Sequence, residues 1–105
     1  MKEEQRAESR QPCSYLFYVY HADREREAYM TRDLSLNGAF VEGDFAMYTV
    51  GSDVLVSFML PGVRSEKEYK IEAVIARVTH EGAGLRFLNP DMETCNALLK
   101  LRDAA

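Results

Sequence analysis

Apolar and polar residues alternate with period two along most of this chain, and glycine- and charge-rich points interrupt the alternation. Residues 14–21 (Ser, Tyr, Leu, Phe, Tyr, Val, Tyr, His) are dense in aromatic and β-branched side chains and predict a first strand with apolar residues on both faces. A charged turn at 22–27 separates it from a second strand at 28–33. Asn37-Gly38 then reads as a two-residue type I′ hairpin turn, because that turn needs positive φ at both central positions. The third strand follows at 38–42.

A longer connection, 43–52, leads into a fourth strand at 53–60, which Pro61-Gly62 ends. Strand five, 68–79, alternates Tyr69, Ile71, Ala73 and Ile75 with Lys70 and Glu72. Its pattern blurs after Ala73, which predicts a bulge or burial on both faces. His80-Glu81-Gly82 turns the chain into strand six at 83–88. The period then changes to that of a helix over about 90–103. Asn89 is the expected N-cap and Pro90 the first helical residue, with Asp91 at the positive end of the dipole. Its expected apolar stripe is Met92, Cys95, Leu98, Leu99 and Arg102, with Leu101 beside it. No internal repeat is visible. Six short strands and one terminal helix predict a mainly β domain, a small antiparallel barrel or sandwich with the helix over a mouth or an edge.

The 105 residues suffice for one domain, and 47% hydrophobic content supplies its core. Residues 1–12 are polar and charged, and we read them as a flexible N-terminal arm ahead of a barrel and helix at 13–105. No apolar run reaches membrane-spanning length, and the N-terminus lacks a signal-peptide core, so a cytoplasmic location without membrane insertion is expected. Cys13 and Cys95 have neither CxxC nor metal-ligand spacing, which fits two reduced thiols and no metal. A net charge of −4 argues against binding duplex nucleic acid or anionic lipid. It still permits a compact anionic ligand held by a few arginines.

Catalysis finds little support. His21 and His80 lie at strand ends, without a Cys, Ser or Asp at a spacing that spells a nucleophile system, and read as surface histidines. No glycine-rich phosphate loop is present. The expectation is a protein that is not an enzyme and needs no cofactor. Two short patterns carry more. Arg6 and Arg10 stand four apart in the arm. Their guanidinium forks suit phosphates or the O6/N7 edge of a guanine. Asp33 and Ser35 project to one face beside the hairpin turn. An ionised carboxylate only accepts hydrogen bonds, so Asp33 matches the N1–H and N2–H donors of guanine better than adenine. Gly38 lets a ligand approach the turn backbone. Each pattern alone is weak. A solvated arm explains the arginines, and a hairpin explains much of Asp33–Gly38.

In this order, R-x-x-x-R followed one hairpin later by D-x-S-x-x-G, the chain resembles the PilZ domain family of bacterial cyclic di-GMP receptors. Arg6, Arg10, Asp33, Ser35 and Gly38 match that pattern, and Gly84-Leu85-Arg86-Phe87 is similar to the family's late strand. The resemblance spans essentially the whole chain. It implies a six-stranded antiparallel PilZ-type β-barrel with a C-terminal helix, and cyclic di-GMP as ligand. Arg6 and Arg10 would take its phosphates and a guanine, and Asp33 and Ser35 the guanine edge and nearby polar groups. Arg86 is a candidate extra contact, against the plain reading of a solvated strand arginine. The implied function is a single-domain receptor or adaptor that closes its arm over the ligand and signals through an effector protein. Gln5, before the first arginine, leaves the number of bound ligands open. The competing readings are a PilZ-like interaction module that does not bind the nucleotide, and a barrel that binds single-stranded nucleic acid on its aromatic strands.

Overall fold

The structure is a computed structural model that describes residues 11–12, 14–22, 24–60 and 67–103. In chain order the elements are β1 (Gln11–Pro12), β2 (Leu16–Tyr20), β3 (Glu27–Leu34), β4 (Gly38–Glu42), β5 (Asp53–Met59), β6 (Glu68–Val78), β7 (Gly82–Phe87) and α1 (Met92–Asp103). Strands β2 to β7 are the six expected strands, with ends shifted by a residue or two. They close in the order β3-β2-β5-β6-β7-β4, and β4 returns to β3. All pairings are antiparallel. Closure leaves the six strands no unpaired sheet edge.

Strand β6 makes the closure work. Its 11 residues pair with β5 over Glu68–Val74 and with β7 over Ala73–Val78, so one strand serves two neighbours at different heights. The register shifts between Ile75 and Arg77, the bulge that the blurred alternation foretold. The inward set follows the period of two: Phe17 and Val19, Val54, Val56 and Phe58, Ile71, Ala73 and Ile75, Ala83 and Leu85. Phe17 stacks on Phe58 with 5.4 Å between centroids. Burying each such Phe or Leu contributes about 2–3 kcal/mol.

The helix joins that core, with Ala97, Leu98 and Leu101 in the same cluster as the barrel interior. Its buried face is Thr94, Ala97, Leu98, Leu101 and Arg102, whereas Met92 is 77% exposed. The expected stripe is therefore turned by about one position, with Leu98 and Arg102 common to both. Asn89 is not the cap. It takes a left-handed φ of 47°, and Asp91 caps instead, its Oδ1 accepting the Thr94 amide at 2.8 Å. That bond holds the Asp91 carboxyl below the usual carboxylate range.

Two further expectations change. Gln11 and Pro12, which the sequence reading left in the arm, pair as β1 with Leu34 and Asp33. His21 is not a plain surface histidine. It is half-buried, its ring edge-on to Tyr48 at 5.3 Å, with Nδ1 enclosed. Arg6, Arg10 and Cys13 lie outside the described residues, and Cys95 is a free thiol.

Candidate functional site

The β3–β4 hairpin brings Asp33, Ser35 and Gly38 together at one end of the barrel wall. Its turn differs from the expected one. Leu34 pairs with Ala39, and the Ser35 amide donates to the Gly38 carbonyl at 2.9 Å. Leu36 and Asn37 are thus the central pair of the turn, and neither has positive φ. The turn is not type I′. A serine device replaces it, in which Ser35 Oγ accepts the Asn37 amide at 3.1 Å and the Gly38 amide at 3.3 Å. Ser35 is 2% exposed, so its hydroxyl faces the turn backbone.

Gly38 is also fixed by packing. A Cβ there would lie 2.0 Å from the Leu85 carbonyl oxygen, because β4 runs against β7 with no room for a side chain. The register sets Gly38 opposite Arg86. Arg86 is exposed and projects on the outer wall. Asp33 is half-buried on the same wall, between Pro12 of β1 and Phe40 of β4. Of the sequence-predicted set, then, Asp33 and Arg86 offer charged side chains beside this turn. Ser35 and Gly38 shape the turn that carries them.

The β6–β7 hairpin repeats the device. Thr79 Oγ1 accepts the Glu81 and Gly82 amides at 3.1 and 3.3 Å, and the Thr79 amide donates to the Gly82 carbonyl at 2.8 Å. A Cβ on Gly82 would meet the Val41 carbonyl oxygen at 1.9 Å. The offset is 44 residues (79 − 35 = 44; 82 − 38 = 44), and the bulges obey it, Thr31/Asp33 against Ile75/Arg77. The two hairpins face each other across the β4–β7 pairing, with Gly38 on Arg86 and Gly82 on Glu42. So the fold does hold an internal repeat, carried by hydrogen-bond pattern. Its sequence trace is a hydroxyl residue three before a glycine. At the position of Asp33 the second hairpin carries Arg77 (33 + 44 = 77).

Arg77 and the bulge residue Arg32 explain an oddity between them. Phe40 projects outward yet is 2% exposed, because the guanidinium carbons of Arg32 and Arg77 lie 4.2 and 5.4 Å from its ring centre. Arg32 also reaches Glu81 at 2.7 Å and Glu42 at 3.3 Å, which ties the two hairpins together. The Glu81 bond, more than any other contact, raises its pKa. The Arg77 stem lies on Gly84, whose missing side chain makes that contact fit. The sequence reading passed over Arg32, Phe40 and Arg77. Only the bulges bring them together. A hollow of about 660 Å³ is an open groove on β2, β5 and β6 beside Tyr20, Asp53 and Glu72. It lies away from Asp33 and holds charges of both signs. Among the described residues no cluster of His, Cys, Asp and Glu suits a metal ion.

A bulged hairpin carrying D-x-S-x-x-G on a closed six-stranded barrel with a terminal helix agrees with the PilZ domain family model, which matches residues 4–103. This chain belongs to the PilZ domain family.

Solved PilZ structures share the fold at low identity. The PilZ domain of CeSA from a cellulose-synthesizing bacterium superposes with a TM-score of 0.71 at 21% identity, covering 91% of this chain and 96% of that one. The PilZ domain of YcgR from Escherichia coli, solved with c-di-GMP, gives 0.68 at 17% identity, covering 91% and 87%. The Bacillus subtilis motility inhibitor MotI/DgrA gives 0.74 at 16% identity, and this chain spans about half of it (90% and 48%). No curated protein sequence matches. Among the described residues no helix is long and apolar enough to cross a membrane.

Proposed function

We propose that this PilZ domain is a cytoplasmic receptor for cyclic di-GMP that performs no chemistry on it and signals through a partner protein. The observation that supports this most directly is β1. Gln11 and Pro12 pair with Leu34 and Asp33, so the segment right after the R-x-x-x-R motif is bound to the strand that carries D-x-S-x-x-G. Arg10 precedes Gln11 in sequence. In this reading Arg6 and Arg10 clamp phosphates and a guanine edge, since guanidinium forks bind both bidentately. Asp33 accepts from guanine N1–H and N2–H. Ser35 and Gly38 act by holding the turn, and Arg86, opposite Gly38, adds a contact from β7. Ligand binding closes residues 1–10 over the wall.

Calorimetry with cyclic di-GMP tests it. The expected result is saturable binding that Arg10→Ala weakens at least tenfold, about 1.4 kcal/mol, with an unchanged melting temperature. Absence of binding at high micromolar ligand overturns the receptor reading and leaves an interaction module of the same fold.

A further inference from the structure

Asp33 faces the outer wall only because β3 carries one residue too many. Buried and exposed positions alternate along the strand as far as Arg32 and then break step. Tyr29 and Thr31 are buried, Met30 and Arg32 are exposed, Asp33 follows on the outer side again, and Leu34 is in the core. Thr31 pairs with Val41 and Asp33 with Phe40, so Arg32 is the inserted residue of the bulge, without a register partner on β4. In unbroken alternation Asp33 would share the face of Thr31 and point into the barrel. Strand β6 makes the same step, with Ala76 and Arg77 both exposed after the buried Ile75. The inserted residue there is Ala76 (32 + 44 = 76), whose side chain is too short to reach a neighbouring strand. Arg32, in contrast, is held at three points. Its guanidinium carbon lies 4.2 Å from the centre of the Phe40 ring, and its nitrogens reach Glu42 at 3.3 Å and Glu81 at 2.7 Å. Phe40 is the register partner of Asp33 itself, and Glu81 belongs to the turn of the facing hairpin.

We propose that Arg32 is a positioning residue for ligand recognition: by tying the bulge to Phe40, Glu42 and Glu81 it sets the direction of the Asp33 carboxylate, and with it the preference for guanine. A recognition group has to be held to within about 0.5 Å of its productive place. A bulge is where the ladder lacks the bond that would hold the strand, and the Arg32 side chain supplies the restraint from outside. The same contacts have an electrostatic consequence. Among the described residues the ion pairs of Arg32 are to Glu42 and Glu81, which stand toward the end of β4 opposite the Ser35 turn. They engage a cation that is the chain neighbour of Asp33. Released from them, the guanidinium would compete with the guanine N1–H and N2–H donors for that carboxylate. Exposed ion pairs add little to stability, so the restraint acts on aim more than on folding.

This inference rests on the cyclic di-GMP reading above and concerns its base selectivity. Its test is competition calorimetry of the full chain with cyclic di-GMP and its adenine counterpart. Arg32→Met should weaken cyclic di-GMP about fivefold or more, within the range for coupled neighbours, and should narrow the gap between the two nucleotides. Glu81→Gln, in the other hairpin, should narrow the same gap. Arg32→Lys keeps the charge without the planar fork and should fall between parent and Arg32→Met. Adding Arg32→Met to Asp33→Ala should cost nothing further, because Arg32 acts through Asp33. Without nucleotide, Glu81→Gln should already move the backbone amide resonance of Asp33, with little change in melting temperature. Equal loss of both nucleotides in Arg32→Met overturns the proposal in favour of a direct phosphate contact. Additive loss in the double variant, parent-like selectivity in Arg32→Met or Glu81→Gln, or an unmoved Asp33 amide overturns it and leaves the receptor reading standing. A parent that binds neither nucleotide overturns both.

Discussion

The Ser35 hydroxyl accepts the Gly38 amide at 3.3 Å, and Thr79 does the same for Gly82 at the same distance in the facing hairpin. One side-chain oxygen thus takes the place of a positive-φ turn, twice, and the pair of hairpins sets the wall on which Asp33 and Arg86 stand. Ser35→Ala removes an acceptor from a nearly buried turn. We expect a loss of about 1 kcal/mol in urea unfolding, whether or not ligand is added. An Ala variant with unchanged stability but abolished ligand binding would return Ser35 to a direct contact.

Gly38→Ala should destabilise by about 2–3 kcal/mol, since the new Cβ meets a backbone oxygen that cannot move without parting β4 from β7. Gly82→Ala should match it. Gly51→Ala has open space around it and meets only backbone strain from a φ of 95°, so its cost should be nearer about 1 kcal/mol. Thermal unfolding of the three variants orders them. Gly51→Ala as the worst of the set would contradict the packing account.

Phe40→Ala should cost about 3 kcal/mol although Phe40 is on the outer face, because Arg32 and Arg77 close over its ring. Arg32→Met keeps an apolar stem over the ring and removes exposed ion pairs, which contribute little and are screened by salt. It should change stability far less. Chemical denaturation at low and high salt separates the two effects.

Asp33→Ala should erode the preference for guanine over adenine cyclic dinucleotides, measured by competition. Equal loss of both affinities would remove Asp33 from base recognition.

The cap of α1 should be visible in acid. Asp91 is held below its ordinary pKa by the Thr94 amide. A depressed folded-state value means that its stabilising effect is complete above the unfolded carboxylate range, near pH 4, and is lost as pH falls through the lower folded value. Unfolding of the parent should therefore gain a pH dependence below about pH 4 that Asp91→Asn lacks. Identical acid profiles would show that the cap is not coupled to folding.

Much of this protein was readable from local chemistry. Alternation in 68–79 marks a strand because side chains in a strand alternate faces, and β6 occupies Glu68–Val78. The spacing of Leu98 and Arg102 marks a helix because three or four residues return to the same side of one. The order of R-x-x-x-R and D-x-S-x-x-G pointed to the family that the family model then matched over residues 4–103. Asn37-Gly38 misled because its dipeptide preference is local. The competing bond from Ser35 and the close approach of β7 are not visible in a dipeptide. The helix cap moved from Asn89 to Asp91 for a related reason: both are good caps, and the way α1 lies on the barrel core selects one. Tertiary structure alone decided the Arg32–Phe40–Arg77 stack and the way the two hairpins face each other across β4 and β7. Each joins strands distant in sequence through a register that closure of the barrel imposes, and no local pattern in the chain encodes that register.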